Sequence, residues 1–409
     1  MECTLKNMTQ KSAMPPVVYL LGLTVFAMTT AEFMVAGMMP ALADAMNVGI
    51  GKIGNLISLY ALGMTIGGPV LTAVLLALRT PHKRALIWLL SINVAGGILA
   101  AMSTRYEMMA VARIIMGVAS SATFGVALTL CADLVAPSVR GRAASFVLGG
   151  LMFSPVVGVP LTAFIEQHYG WRASFWLVAV LAALCTVAIA LWAPADHKQD
   201  GANAEVVSLS AEFRSLLNRP LWAAFATSGL IIGATFAAFS YFSPIFLNVA
   251  GVSATSIPNL LAMYGIANII GNAVVGRFAD RHTLTVLVAG LSVLALALIS
   301  FALWAELTPV GIAAFAAIGL TGVSLNPAMV ARVMRAAAPG PLVNTMHTSV
   351  ITAGLAFGTW AGGAAIDAGY SMRAPLWIGA AMAAVGLASL LPYLRSGLAQ
   401  APETACSTT

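Results

Sequence analysis

Twelve separate runs of about twenty apolar residues, divided by short polar turns, constrain this chain more than any single motif does. A helix rises 1.5 Å per residue, so about twenty residues cover the roughly 30 Å hydrocarbon core of a bilayer. Inside hydrocarbon every peptide N–H and C=O must be bonded within the protein, so runs of this length are predicted to be helices. The first six spans are placed at 17–39, 53–78, 85–103, 108–135, 143–165 and 173–193. The second six are placed at 221–247, 257–279, 284–304, 309–334, 345–366 and 375–394. Only 8% of the residues are charged, against roughly 25% in a soluble domain, so the chain could not cover a water-facing surface. The fold class is therefore an all-α membrane protein.

A net charge of +6 could suggest nucleic acid as a partner. No stretch clusters Lys and Arg with interleaved aromatics, so no nucleic-acid partner is expected. Topology explains the cations better. With the N-terminus inside, fifteen Lys and Arg fall on the cytoplasmic side, among them Arg332 and Arg335, and four fall outside: Lys52, Arg105, Arg172 and Arg373. Arg113 lies within a span. This bias places both termini in the cytoplasm. Cys3, Cys131, Cys185 and Cys406 have no metal or disulfide spacing, and neither a metal nor another cofactor is expected. No cleavable signal peptide is visible, and the first span is expected to stay as an anchor.

The chain divides into 1–195, a linker at 196–219, and 220–409. The stretch 193–220, "APADHKQDGANAEVVSLSAEFRSLLNRP", is the one long polar segment. Its "LSAEFRSLL" has apolar residues at helical spacing and is expected to lie along the membrane surface. The two flanking units are copies. "IEQHYGWRASFW" (165–176) repeats as "IDAGYSMRAPLW" (366–377), matching Glu166 to Asp367, Arg172 to Arg373 and Trp176 to Trp377. Each segment joins the fifth span of its half to the sixth. Two pseudo-symmetric six-helix bundles follow, an arrangement used by transporters with a site between the halves.

Twelve spans, a long central loop and this repeat resemble the major facilitator superfamily over nearly the whole chain. "GNAVVGRFADR" (271–281) is similar to that family's loop motif between the second and third helices of a half. The resemblance implies that Gly276 permits close helix approach, and that Asp280, with Arg277 and Arg281, locks a cytoplasmic gate. The first-half counterpart, "GGPVLTAVLLALRTPHKRAL" (67–86), has no Asp. In that respect it resembles the arabinose and drug-efflux subgroup of drug:proton antiporters, as does "TAEFMVAGMMPALA" in the first span. "GLMFSPVVGVP" (150–160) is similar to the antiporter motif Gly-x-x-x-Gly-Pro-x-x-Gly-Gly. Gly150, Pro155 and Gly158 match it, and Ser154 and Val159 depart. Arg113 and Gly117 resemble the Arg-x-x-x-Gly motif that the family ties to proton transfer.

Glu32 and Arg113 are charges at membrane depth, where an isolated charge costs several kcal/mol. Glu32 precedes Met39 by seven residues and Arg113 follows Met108 by five. Both therefore lie roughly 8–10 Å below the outer edge. In the resembled fold the first and fourth helices line the central cavity, so the two charges are expected to face each other. Two readings stand: Glu32 carries a proton in an alternating-access cycle, or it forms a permanent pair with Arg113 that only joins two helices. Asp133 is either part of a gate network with Arg140 and Arg142 or a solvated helix-end carboxylate. Phe236, Phe239 and Tyr241 of the seventh span, Asn326 of the tenth and Asn93 of the third are candidate substrate-cavity residues, with packing as the alternative. His347 reads as a helix-end residue.

No His-Glu-x-x-His, Gly-x-Ser-x-Gly or phosphate-binding glycine loop is present, so no enzyme is expected. Without a nucleotide motif the driving force is an ion gradient or the substrate's own. One carboxylate beside an arginine is a poor sodium site, which favours protons. The expected function is proton-coupled efflux of small molecules such as drugs or sugars across a bacterial inner membrane, by a monomer. An uptake symporter or uniporter is the alternative, and a membrane-embedded enzyme a remote one.

Overall fold

The computed structural model describes residues 14–78, 80–194, 218–336 and 341–398. Among the described residues, twelve helices are long and apolar enough to cross a membrane. The first half holds α1 (Pro16–Gly37), α2 (Ile50–Leu75), α3 (His82–Ala101), α4 (Tyr106–Leu134), α5 (Arg140–Tyr169) and α6 (Trp171–Trp192). The second holds α7 (Arg219–Asn248), α8 (Ala254–Ala279), α9 (Thr283–Leu303), α10 (Thr308–Ala336), α11 (Leu342–Asp367) and α12 (Ala374–Tyr393). Most boundaries match the apolar runs to within a few residues. The linker and its amphipathic "LSAEFRSLL" fall almost wholly outside the described residues.

The halves repeat one packing plan. In the first, α1 packs on α5 and α6, α4 on α2 and α3, and α3 on α6. In the second, α7 packs on α11 and α12, α10 on α8 and α9, and α9 on α12. The internal repeat has a matching role in each half. Arg172 donates to Ser103 O at 3.0 Å, in the turn between α3 and α4. Its counterpart Arg373 pairs with Glu306, in the turn between α9 and α10. The halves meet along α2–α11 and α5–α8.

Prolines set the irregular points. A proline supplies no N–H to the carbonyl four residues earlier and crowds it. Pro40 follows a break at Met38 (φ −113°, ψ 18°), after which Met39–Met46 continues as a short helix. Pro244 follows the equivalent break in α7, where Tyr241 has φ −108° and ψ 9°. Pro155 lies in a π-helical turn, Ser154–Gly158, inside α5. Pro327 follows a break at Gly322 in α10. Such breaks survive at membrane depth only where neighbouring helices cover the freed backbone groups.

Because twelve spans return the chain to the side where it starts, the beginning of α1 and the end of α12 share one face of the bundle. This terminal face is opposed by a far face carrying the start of α2 and the end of α11.

Candidate functional site

Arg113 organises the site. Gly117, one turn beyond it on α4, lies against the Tyr60 carbonyl of α2, where a Cβ would collide. That close approach brings the α2 backbone within reach of the guanidinium. Arg113 is fully buried. Its Nε donates to Leu56 O at 3.3 Å, Nη1 to Ala31 O at 2.5 Å and Nη2 to Glu32 O at 2.8 Å. Its guanidinium also lies 4.2 Å from the centre of the Tyr60 ring. Every nitrogen is therefore bonded, and α4 is stapled to both α1 and α2.

Glu32 and Arg113 are near enough to interact electrostatically, as expected of two facing charges, but the permanent ion pair, the alternative reading, does not form. Among the described residues, no hydrogen bond or ion pair closer than 4 Å engages the Glu32 carboxylate. Main-chain carbonyls have taken the guanidinium instead, because they reach its fork from two helices at once. Glu32, Tyr60 and Arg113 still lie within electrostatic reach of one another. The carboxylate sits on α1 with 6% of the residue's surface exposed. One turn away, Thr29 Oγ1 is buried without a partner.

Behind Arg113 runs a polar chain that the sequence reading missed. Tyr60 OH and Ser120 Oγ are 2.7 Å apart, and Asn93 Nδ2 donates to Ser120 Oγ at 2.8 Å. Asn93, expected in the substrate cavity, belongs to this internal network and also donates to Met116 O. Ser120 follows the motif residue Gly117 by one turn, which is the only hint the sequence offers; Tyr60, on α2, has none.

The α5 motif has a double role. Gly150 lies against the Gly22 carbonyl of α1, and Gly158 against Thr30 Oγ1. Ser154, a departure from the motif, is used: its Oγ is 3.0 Å from Thr30 Oγ1. On another side of the same turn, the Pro155 backbone touches Gly265 of α8. This turn therefore contacts both its own half and the opposite one.

Phe236, Phe239 and Tyr241, candidates for lining a cavity, are all buried in this structure. Phe33 of α1, next to Glu32, stacks on Phe236 at 5.1 Å between ring centres and meets Phe239 edge-on at 6.1 Å. Phe239 continues the cluster to Tyr264 and Phe315. Tyr241 donates to Thr359 O at 2.7 Å and packs over Gly54, Gly362 and Gly363. These aromatics fill the seam between the halves. Asn326 is exposed, at the start of the segment that follows the break in α10.

Nearer the terminal face, several expectations are corrected. Asp133 pairs with His82, Oδ2 to Nδ1 at 2.8 Å, rather than with Arg140, which donates to Ala132 O. The approach expected at Gly276 is absent, since a Cβ there would meet nothing within 4 Å. Arg277, Asp280 and Arg281 are exposed. They form no ion pair with the opposite half among the described residues, and Arg335 bonds the Asp280 carbonyl within its own half. Arg332, counted among the cations of the cytoplasmic side, is buried near the terminal-face end of α10: it donates to Thr227 Oγ1 at 2.6 Å and lies over the Tyr393 ring. His347 is not a helix-end residue. It is buried in α11, 3.0 Å from Ser228 Oγ, and stacked on Phe225.

Two six-helix halves joined along α2–α11 and α5–α8, with buried charge in each half and an aromatic seam between them, define a multi-pass membrane transporter. A family model described as Major Facilitator Superfamily matches residues 21–342. The chain is 31% identical to a chloramphenicol resistance protein of Streptomyces lividans, over 93% of this chain and 96% of the relative. It is 30% identical to the inner membrane transport protein YdhP of Escherichia coli K12, over 94% and 97%, and 26% identical to the putative transporter AraJ of the same organism, over 96% and 98%. Two solved structures share the fold at 13% identity: a bacterial homologue of the human lysosomal transporter Spinster, inward-facing and occupied (TM-score 0.72, covering 95% of this chain and 98% of that one), and the POT family transporter PepTSo (TM-score 0.74, 95% and 99%). The chain belongs to the Major Facilitator Superfamily.

Proposed function

We infer that the protein is a proton-coupled exporter of small molecules in a bacterial inner membrane, working by alternating access with Glu32 as the proton-carrying group. The observation that carries this reading is the division of labour between two buried charges. Arg113 is committed to three main-chain carbonyls, so Glu32 is not locked into a permanent pair. A buried carboxylate without a fixed partner can change its charge when water access changes. Arg113 provides a constant positive field beside it, and the partnerless Thr29 hydroxyl a polar neighbour.

The seam contacts fit one half of the cycle. The halves are tied at Gln167–Ala254 (2.7 Å), at the far face, and at Thr65–Thr352 (2.9 Å), within the bundle. The Phe33 cluster seals the seam beside Glu32. With the termini in the cytoplasm, this is the state closed to the outside. The motif turn of α5, in contact with both α1 and α8, is the element that must slide when the halves rock.

The name of the Streptomyces relative makes chloramphenicol the first substrate to test. In proteoliposomes with an imposed pH gradient, the protein is expected to drive chloramphenicol against its concentration gradient. Glu32→Gln is expected to abolish that coupling while insertion and thermal unfolding stay unchanged. Gradient-driven transport by Glu32→Gln at the normal rate removes Glu32 from the mechanism.

A further inference from the structure

A carboxylate is a stronger acceptor for a guanidinium than a neutral carbonyl is. Arg113 nevertheless bonds the main-chain carbonyl of Glu32 and not its carboxylate. The Tyr60 ring covers the guanidinium from one face, 4.2 Å from the ring centre. That ring is itself anchored. The Tyr60 hydroxyl is 2.7 Å from Ser120 Oγ, and Asn93 Nδ2 donates to Ser120 Oγ at 2.8 Å and to Met116 O at 3.3 Å. All three side chains are buried. A buried polar chain fixes its members, because each lost bond leaves a desolvated partner behind. This one runs from α3 through α4 to α2 and ends on the face of the guanidinium.

The second half repeats the frame without the charges. Gly117 lies against the Tyr60 carbonyl, and Gly319 lies in the same way against the Tyr264 carbonyl. Four residues before Gly117 is Arg113; four before Gly319 is Phe315, whose ring is stacked on Tyr264 at 4.9 Å. Three residues after Gly117 is Ser120; three after Gly319 is Gly322. Glu32 precedes Pro40 by eight residues, as Phe236 precedes Pro244. Phe236, Tyr264 and Phe315 thus stand where Glu32, Tyr60 and Arg113 stand in the first half, and glycine stands for Ser120. A tyrosine packs at this position without a hydroxyl at the Ser120 position. The polar chain accompanies the two charges.

We propose that Tyr60 is a positioning residue of the Glu32–Arg113 site: anchored by Ser120 and Asn93, its ring holds the guanidinium on the three main-chain carbonyls and so keeps the Glu32 carboxyl free to gain and lose a proton. This rests on the reading of Glu32 as the proton carrier. With the ring gone or its anchor loosened, the guanidinium turns to the carboxylate, and the charge-assisted pair stabilises the ionised form. Among the described residues no other charge acts on Glu32. Of the elements packed on α1, α2 and α4 bring Tyr60 and Arg113. The fifth helix brings Ser154, bonded to Thr30, and the sixth brings Cys185, which lies against Thr24 about two turns away. The aromatic seam comes from α7 and α8, and its Tyr264 turns to Phe239 and Phe315.

The test is the infrared band of the protonated Glu32 carboxyl, identified by its loss in Glu32→Gln. It is followed against pH on the full chain in an alkyl maltoside detergent, which has no carbonyl of its own, with neither substrate nor gradient. Tyr60→Leu is expected to move the midpoint of that band about one pH unit or more to the acid side. Ser120→Ala, which keeps the ring and removes its anchor, is expected to move it a smaller step the same way, and Tyr60→Phe should match Ser120→Ala. Tyr264→Leu, which cuts the same frame in the second half, should lower the unfolding temperature as Tyr60→Leu does and leave the midpoint in place. A midpoint that stays put or moves to the alkaline side in Tyr60→Leu and Ser120→Ala overturns the proposal. So does an equal shift in Tyr264→Leu, or a band with no midpoint in the parent. The proton-carrier reading fails separately, on undiminished gradient-driven transport by Glu32→Gln, whatever the band does.

Discussion

Arg113 donates a hydrogen bond of 2.8 Å to the main-chain carbonyl of Glu32 and none to its carboxylate. The two most costly side chains in the first half are therefore neighbours without being partners. The arginine is structural in its bonds and electrostatic in its influence, while the carboxylate is held by no fixed bond.

That separation gives the two residues different phenotypes. Arg113→Lys replaces a five-donor fork with a point donor and leaves at least one of the Leu56, Ala31 and Glu32 carbonyls unpaired. The expected loss is about 2 kcal/mol or more, read as a lower unfolding temperature in detergent. Glu32→Gln, a near-isosteric change at a group with no bonded partner, should unfold at the parent temperature. Equal destabilisation by both would mean that the residues form an ion pair after all.

The glycines make a second contrast. Valine at position 117 would drive its Cβ into the Tyr60 carbonyl, and valine at position 150 into the Gly22 carbonyl. Overpacking of this kind costs about 1–3 kcal/mol, and here it also pushes α2 off the Arg113 staple or α1 off α5. Gly276→Val meets open space and should leave stability unchanged within about 0.5 kcal/mol. Fluorescence-detected size-exclusion after heating checks all three. A destabilised Gly276→Val would show that the second-half loop motif is packed in the state sampled in detergent.

The span count and the two-fold repeat were legible in the sequence because bilayer thickness and loop charge are written directly into composition. Glu32 and Arg113 stood out for the same reason: any charge in such runs is conspicuous. Tyr60 and Ser120 did not stand out, since a tyrosine or serine in a span has no hydropathy signature and its bonding depends on which helix lies opposite. Asn93 was flagged as polar, but only packing reveals that it turns to Ser120. His347 reads as a helix-end residue in the sequence, because a register error of one or two turns at a helix end separates a solvated group from a buried one. The candidate gate at Asp280 depends on how the halves are tilted, and that is a property of state rather than of sequence.

Phe33 supplies the first-half side of the seal beside Glu32, through its contacts with Phe236 and Phe239. Phe33→Ala removes both ring contacts and opens a gap of side-chain size in the seam. A single cysteine at Ala36, buried in the parent at 1% exposure, reports on that gap in a background where the four native cysteines are serine. A membrane-impermeant maleimide added from outside is expected to label it several-fold faster when Phe33 is alanine. An unchanged rate would show that water reaches this point by another route.

Thr65 and Thr352 bond across the seam at 2.9 Å and tie α2 to α11 within the bundle. The helices must part there if this state is to interconvert with one open at the far face. The side-chain oxygens of the two threonines are 2.9 Å apart, so cysteines at both positions are expected on oxidation to link the halves within one chain. The linked protein is expected to lose transport and to regain it on reduction, with each single cysteine variant insensitive to oxidant. The measurement is chloramphenicol flux in proteoliposomes, scored beside cross-link formation by mass spectrometry. Full flux in the cross-linked protein would mean that α2 and α11 move as one body, and would shift the rocking motion to the α5–α8 side, where Pro155 lies against Gly265.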